Sequence, residues 1–143
     1  MNANETMAIE WACQKLSAEY VRHADFQDFE AFADLFTSDG VLALFGEERI
    51  GRDGIIAPFL KRPQMVTRHL CSDHCINVID ADHAEGTVYL TLYRVVGNHT
   101  EDDGPIPYQQ PTLIGHYADT YKRTDKGWKF ATRTLHVRFQ SES

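Results

Sequence analysis

The chain has 143 residues, a net charge of -7 and 43% hydrophobic residues, the composition of one ordinary globular domain, 1–143, and not of a disordered or disulfide-stapled chain. Its acidity repels phosphate backbones and anionic headgroups, which argues against nucleic acid and membrane as partners. Three cysteines are an odd number in a chain with material for a core, residues 1–5 lack the basic start of a secretory leader, and no apolar run approaches the ~20 residues of a membrane span, so a reducing cytoplasm is expected.

Over residues 6–23 the apolar positions Ile9, Ala12, Cys13, Leu16 and Tyr20 recur at helical spacing and predict one buried stripe. Asp28 is a good N-cap for a second helix that buries Phe29, Phe32, Ala33 and Phe36 and ends at Ser38-Asp39-Gly40. The short linker 23–27 therefore holds Asp25 where two helices meet. A short buried strand is expected over 41–45, turning at Gly46 into Arg49 and Ile50. A third helix runs from about Asp53 over Ile55, Ile56, Phe59 and Leu60, shortened or kinked by Pro58.

The remainder reads as strands over 66–78, 83–96, 112–122 and 128–139, with hairpin turns at Asp80-Ala81-Asp82 and at 124–127. Strands of this length stay in one sheet by coiling and bending at bulges. The predicted fold class is therefore α+β, a strongly curved antiparallel sheet covered by about three N-terminal helices, with a partly polar cleft between them. The acidic loop 97–111, with Pro105 and Pro107, is too long for a tight turn and is placed to cover a cleft mouth.

Strict alternation along the first long strand puts Thr67, His69, Cys71, Asp73 and Cys75 on one face and Arg68, Leu70, Ser72, His74 and Ile76 on the other. Neither face is purely apolar, and buried polar groups must be paired or line a wet cavity. Later strands repeat the theme. One face carries Thr87, Tyr89, Thr91 and Tyr93, and another carries Gly115, Tyr117, Asp119 and Tyr121. Hydroxyls and carboxylates in this number point to a pocket that binds a small molecule. Tyr89, Thr91, Asp119 and Arg133 are the candidate substrate-binding residues. A zinc reading of His69, Cys71, His74, Cys75 and His83 fails on the same alternation, which separates His74 from His69 and Cys71, and on the lack of zinc-ribbon spacing. Cys71 and Cys75 then read as small buried residues.

The order of a helix, then Asp25 with Asp28 and Phe29, then Thr67-Arg68-His69, Gly115-His116-Tyr117-Ala118-Asp119, Gly127-Trp128-Lys129-Phe130 and Arg138, resembles the SnoaL-like branch of the nuclear transport factor 2-like superfamily. The likeness covers nearly the whole chain. It implies a cystatin-like cone or half-barrel with a deep pocket, a homodimer, and chemistry without metal or organic cofactor. Its members include dehydratases, cyclases, isomerases, epoxide hydrolases and non-catalytic subunits of ring-hydroxylating dioxygenases, so it specifies fold better than reaction. Among these the chain is most similar to the dehydratases. Asp25 and His69 match their catalytic aspartate and histidine, and Tyr20 matches a tyrosine of the bile-acid enzymes. Two departures stand out: the position of a second histidine in scytalone dehydratase falls in the stretch 88–91, which has none, and a pocket asparagine is replaced by Tyr117.

The chemistry is coherent on its own terms. A carboxylate at one imidazole nitrogen fixes the tautomer, so the other nitrogen of His69 can remove a proton next to a carbonyl while Tyr20 or Tyr117 hydrogen-bonds the developing enolate. Elimination and isomerisation share that opening step. The expected function is a cofactor-independent lyase or isomerase acting on a small, largely apolar hydroxy-carbonyl substrate. The alternatives are a non-catalytic ligand-binding or assembly subunit, or epoxide hydrolysis by Asp25, Asp119 and Arg133 around one water. Singly, Asp25 could be a helix cap, His69 a satisfied core histidine and the tyrosines sheet packing.

Overall fold

The computed structural model describes residues 1–107 and 109–141. Helix α1 (Ala3–Asp25) opens on Asn2, whose side chain accepts the Glu5 N–H at 2.9 Å. It buries Ile9, Cys13, Leu16, Tyr20 and Ala24 as one stripe. Helix α2 (Phe29–Ala33) is capped as expected, with Asp28 Oδ1 accepting the Ala31 N–H at 3.2 Å, but it stops one turn early. Phe36 instead begins strand β1 (Phe36–Leu44), because Leu35 and Phe36 are drawn into pairing with the last strand and Phe36 packs its ring 5.2 Å from Phe130. Ser38-Asp39-Gly40 is thus an irregularity within a strand and not a helix stop.

Strand β2 (Glu47–Ile50) returns along β1, and helix α3 (Gly51–Lys61) follows with Pro58 inside it. Four long strands complete the chain: β3 (Met65–Val78), β4 (His83–Val96), β5 (Leu113–Thr124) and β6 (Gly127–Gln140). The sheet order is β2-β1-β6-β5-β4-β3. All neighbours are antiparallel except β1 and β6, which run parallel, so the sheet is mixed at that one junction. β2 and β3 are free edges, and the sheet does not close. α1 lies across β3 and β6 and α3 lies against β1, so the core fills the space between helices and one sheet face.

Bulges give the long strands their bends. One falls at Ile114 and Gly115, where a Cβ on residue 115 would lie 2.2 Å from the His136 carbonyl oxygen. Only glycine fits that approach. Another falls between Ser72 and Cys75, with Asp73 in the left-handed region at φ 55°. The extra residue reverses the alternation beyond it. His74, Ile76 and Val78 therefore join Thr67, His69 and Cys71 on the inner face, whereas Cys75, read from sequence as buried, is exposed. Among the described residues no helix is long and apolar enough to cross a membrane.

Candidate active site

Asp25 ends α1, and its carboxylate is turned away from α2, which Asp28 caps. It accepts three hydrogen bonds from β3: from Thr67 Oγ1 at 2.9 Å, from the His69 N–H at 3.0 Å, and from His69 Nδ1 at 2.6 Å. An ionised carboxylate is acceptor-only, so this geometry assigns the imidazole proton to Nδ1 and leaves a lone pair on Nε2. Asp25 is 6% exposed. A helix end and an edge strand are thereby joined by one carboxylate, and the ring it orients is fixed at both backbone and side chain.

His69 lines a cavity of about 250 Å³ with Tyr20, Tyr117, Leu90, Leu92 and Leu135. Asp25 lies behind the imidazole and does not line the cavity itself. The Tyr20 ring meets the His69 ring edge-on at 6.5 Å and the Tyr117 ring at 5.4 Å. Burial pushes the Tyr20 phenol up to about 12, the Arg133 guanidinium acting against it, and burial with neighbouring Tyr20 raises Tyr117 well above the usual phenol value. Both are therefore neutral hydroxyls in ordinary buffers, and because they hydrogen-bond to one another, one O–H proton of the pair is left to donate to an oxygen in the cavity.

Beneath the tyrosines lies a buried ion pair. Arg133 donates from Nε to Asp119 Oδ1 at 2.8 Å and from Nη2 to Oδ2 at 2.9 Å, and Nη2 also reaches Ser17 Oγ at 2.6 Å. Tyr121 donates to Asp119 Oδ2 at 2.9 Å. The guanidinium carbon stands 4.0 Å from the Tyr117 ring centroid and 4.4 Å from that of Tyr20. Burial opposes its charge, but Asp119 outweighs this and holds Arg133 protonated.

The four residues read as substrate-binding do not line this cavity. Asp119 and Arg133 pair with one another below it, with Arg133 Nη1 left buried without a hydrogen-bond partner. Tyr89 is 57% exposed and Thr91 shares its face, because Val88, Leu90 and Leu92 take the inner face of β4. The convergence of Asp25, Asp119 and Arg133 on one water is likewise not seen, since Asp25 is engaged by β3 and the other two by each other. The loop 97–111, apart from Tyr108 outside the described residues, does not cover this cavity. Its Glu101 takes two bonds from Arg68, at 2.6 and 2.8 Å, and His99 to Glu101 border a neighbouring groove.

Three features were not assigned from sequence. Thr67 holds Asp25, and its signal was present in Thr-Arg-His, two residues before the histidine on the same face. Ser17 interrupts the apolar stripe of α1 to meet Arg133. Arg49, Arg62 and Arg94 line the cavity from three separate stretches. Among the described residues no group of three or more His, Cys, Asp and Glu side chains is placed to hold a metal.

His74, carried inward by the bulge, leaves Nε2 buried without a hydrogen-bond partner. Burial, then Arg133, lowers its pKa from 6.5. The unfolded chain takes up this proton first as pH falls, so the stability that His74 confers is present above about 6.5 and is lost as pH drops through the lower folded value. Between about pH 7 and about pH 5 the melting temperature of the wild type should fall further than that of His74→Gln. Parallel curves would contradict this.

Comparison with known proteins came to the same architecture. The model of the SnoaL-like domain family matches residues 5–134. No curated protein matched. Among solved structures, a protein provisionally named scytalone dehydratase from Novosphingobium aromaticivorans is 20% identical, with a TM-score of 0.81 over 99% of this chain and 92% of that one. A hexachlorocyclohexane dehydrochlorinase, LinA type 2, is 16% identical with a TM-score of 0.81, over 98% of this chain and 92% of that one. An NTF2-like protein with a cystatin-like fold, also from N. aromaticivorans, is 21% identical with a TM-score of 0.77, over 95% and 86%. At these identities the likeness is one of fold.

Proposed function

The chain belongs to the SnoaL-like domain family, and from that premise we propose that it is a cofactor-independent lyase or isomerase that removes a proton next to a carbonyl in a small, largely apolar hydroxy-carbonyl compound. The observation that carries this reading is the 2.6 Å contact between Asp25 Oδ1 and His69 Nδ1, with the same imidazole lining a cavity. His69 Nε2 is the base, Asp25 the orienter, and Tyr20 or Tyr117 the donor to the enolate oxygen. The protonated imidazole then returns its proton to a departing β-hydroxyl, giving elimination, or to a different carbon, giving isomerisation. Thr67 holds the aspartate in place.

Two structures of similar fold carry lyase names, a dehydratase and a dehydrochlorinase, which supports the reaction class. A bare binding subunit has no need of a base ordered at both nitrogen and backbone, so the catalytic reading is preferred. A homodimer and a cytoplasmic location belong to the same proposal. Exposed Leu70, Tyr89 and Phe139 on the outer sheet face support the first, and the free thiols of Cys13, Cys71 and Cys75 support the second.

The test is exchange of the protons next to the carbonyl of 2-tetralone for deuterium in heavy water, followed by NMR. Exchange by the wild type about 10² to 10⁴ faster than in protein-free buffer is expected. Exchange at the buffer rate would contradict proton abstraction.

A further inference from the structure

The cavity that holds His69 also gathers positive charge. Four arginines elsewhere in the chain are paired: Arg52 with Glu30 and Asp34, Arg68 with Glu101, Arg123 with Asp82 and Arg133 with Asp119. Arg49 from β2, Arg62 just after α3 and Arg94 from β4 line the cavity instead. Arg62 and Arg94 have no acidic partner within salt-bridge distance among the described residues. Arg49 has a 3.7 Å contact with the exposed Glu47, and its Nε is buried without a hydrogen-bond partner.

Aromatic rings fix the positions of two of these cations. Arg49 and Arg62 stand 5.3 and 5.1 Å from the Phe59 ring centroid, and Arg62 stands 5.3 Å from that of Phe29. Such contacts hold a guanidinium without neutralising it. Burial, then the charges of Arg49 and Arg94, lower the pKa of Arg62, and Asp25 acts against them. Asp25 is already committed to Thr67 and His69. In a chain of net charge -7, three cations drawn from distant segments meet in one apolar-walled cavity, and apart from the 3.7 Å contact of Arg49 with Glu47 they have no counterion within salt-bridge distance among the described residues.

We propose that the substrate supplies it: a compound with an apolar body and a carboxylate, the carboxylate held by Arg49, Arg62 and Arg94 and the body laid along Leu90, Leu92 and Leu135 toward His69. The planar guanidinium fork matches a carboxylate with two parallel hydrogen bonds, which fixes direction as well as affinity. The identity of this compound as a substrate rests on the proton-abstraction reading above, whereas binding of the carboxylate does not.

The experiment is calorimetric titration with two probes of equal shape, 2-naphthoate and neutral 2-naphthamide, into the wild type and into Arg62→Gln and Arg94→Gln. The wild type should bind the acid at least tenfold more tightly than the amide, and added sodium chloride should weaken the acid alone. Each variant should lose at least fivefold of that preference. Because Arg94 is exposed, Arg94→Gln carries the test even if Arg62→Gln fails to fold. Equal affinity for acid and amide, no binding of the acid, or an undiminished preference in the folded variants would overturn the proposal. A clear acid preference in a protein whose deuterium exchange is at the buffer rate would sink proton abstraction and leave the anion site standing.

Discussion

His69→Ala is expected to return deuterium exchange of 2-tetralone to the buffer rate, a loss of about 10² to 10⁴-fold, with little change in stability. The reason for the split is that Asp25 keeps two of its three donors. Thr67 Oγ1 at 2.9 Å and the backbone N–H of residue 69 at 3.0 Å do not depend on the imidazole. Loss of the third costs about 1 kcal/mol, or roughly 2–4 °C in melting temperature for a chain of this size. A merely structural histidine would give the reverse, a large fall in melting temperature with exchange unaltered. Asp25→Asn separates orientation from basicity. The new amide can donate to Nδ1, which moves the ring proton to Nε2 and removes the lone pair from the cavity, so exchange should fall although His69 is still present.

The largest expected loss of stability lies one layer deeper. Arg133→Met should destabilise the fold by about 3–5 kcal/mol, because it leaves the Asp119 carboxylate buried with no cation. Both side chains of the pair are fully buried. Tyr121 and the lost guanidinium are the donors found on Asp119, and one phenol cannot replace a bidentate arginine. The guanidinium is also enclosed by the faces of Tyr20, Tyr117 and Phe130, an arrangement worth about 2 kcal/mol when desolvated. The double variant Arg133→Met with Asp119→Leu removes both charges and should recover most of the loss. Urea denaturation reads both. A single variant within about 1 kcal/mol of wild type would show that Asp119 finds compensation elsewhere.

Periodicity in the sequence carried most of this architecture. The strand expected at 83–96 is β4, residue for residue, since alternation there is unbroken and Asp80-Ala81-Asp82 turns before it. The inner face of β5, Gly115, Tyr117, Asp119 and Tyr121, is buried as a set. Alternation fails where the backbone breaks its own count. An aspartate can take the left-handed conformation but does not announce it, so the bulge at Asp73 that turns His74 inward left no mark on the pattern. On β4 two faces compete for the interior: the hydroxyl-bearing face points to a pocket lining, yet Val88, Leu90 and Leu92 gain more from burial than Tyr89 and Thr91, and the apolar set takes the inner face. Ser38-Asp39-Gly40 has the composition of a helix stop, and only pairing of β1 with β6, nearly a hundred residues away, makes it part of a strand. The arginine cluster is of the same kind. Arg49, Arg62 and Arg94 share no spacing rule, and their meeting is a consequence of the fold.

The reading of this cavity as a catalytic site depends on which nitrogen of His69 bears the proton. Long-range ¹⁵N–¹H NMR on the uniformly labelled wild type at neutral to mildly alkaline pH measures it directly. A protonated, pyrrole-type Nδ1 facing Asp25 and an unprotonated, pyridine-type Nε2 facing the cavity are the expected result. A proton on Nε2 with a bare Nδ1 would leave no base in the cavity and would contradict the mechanism.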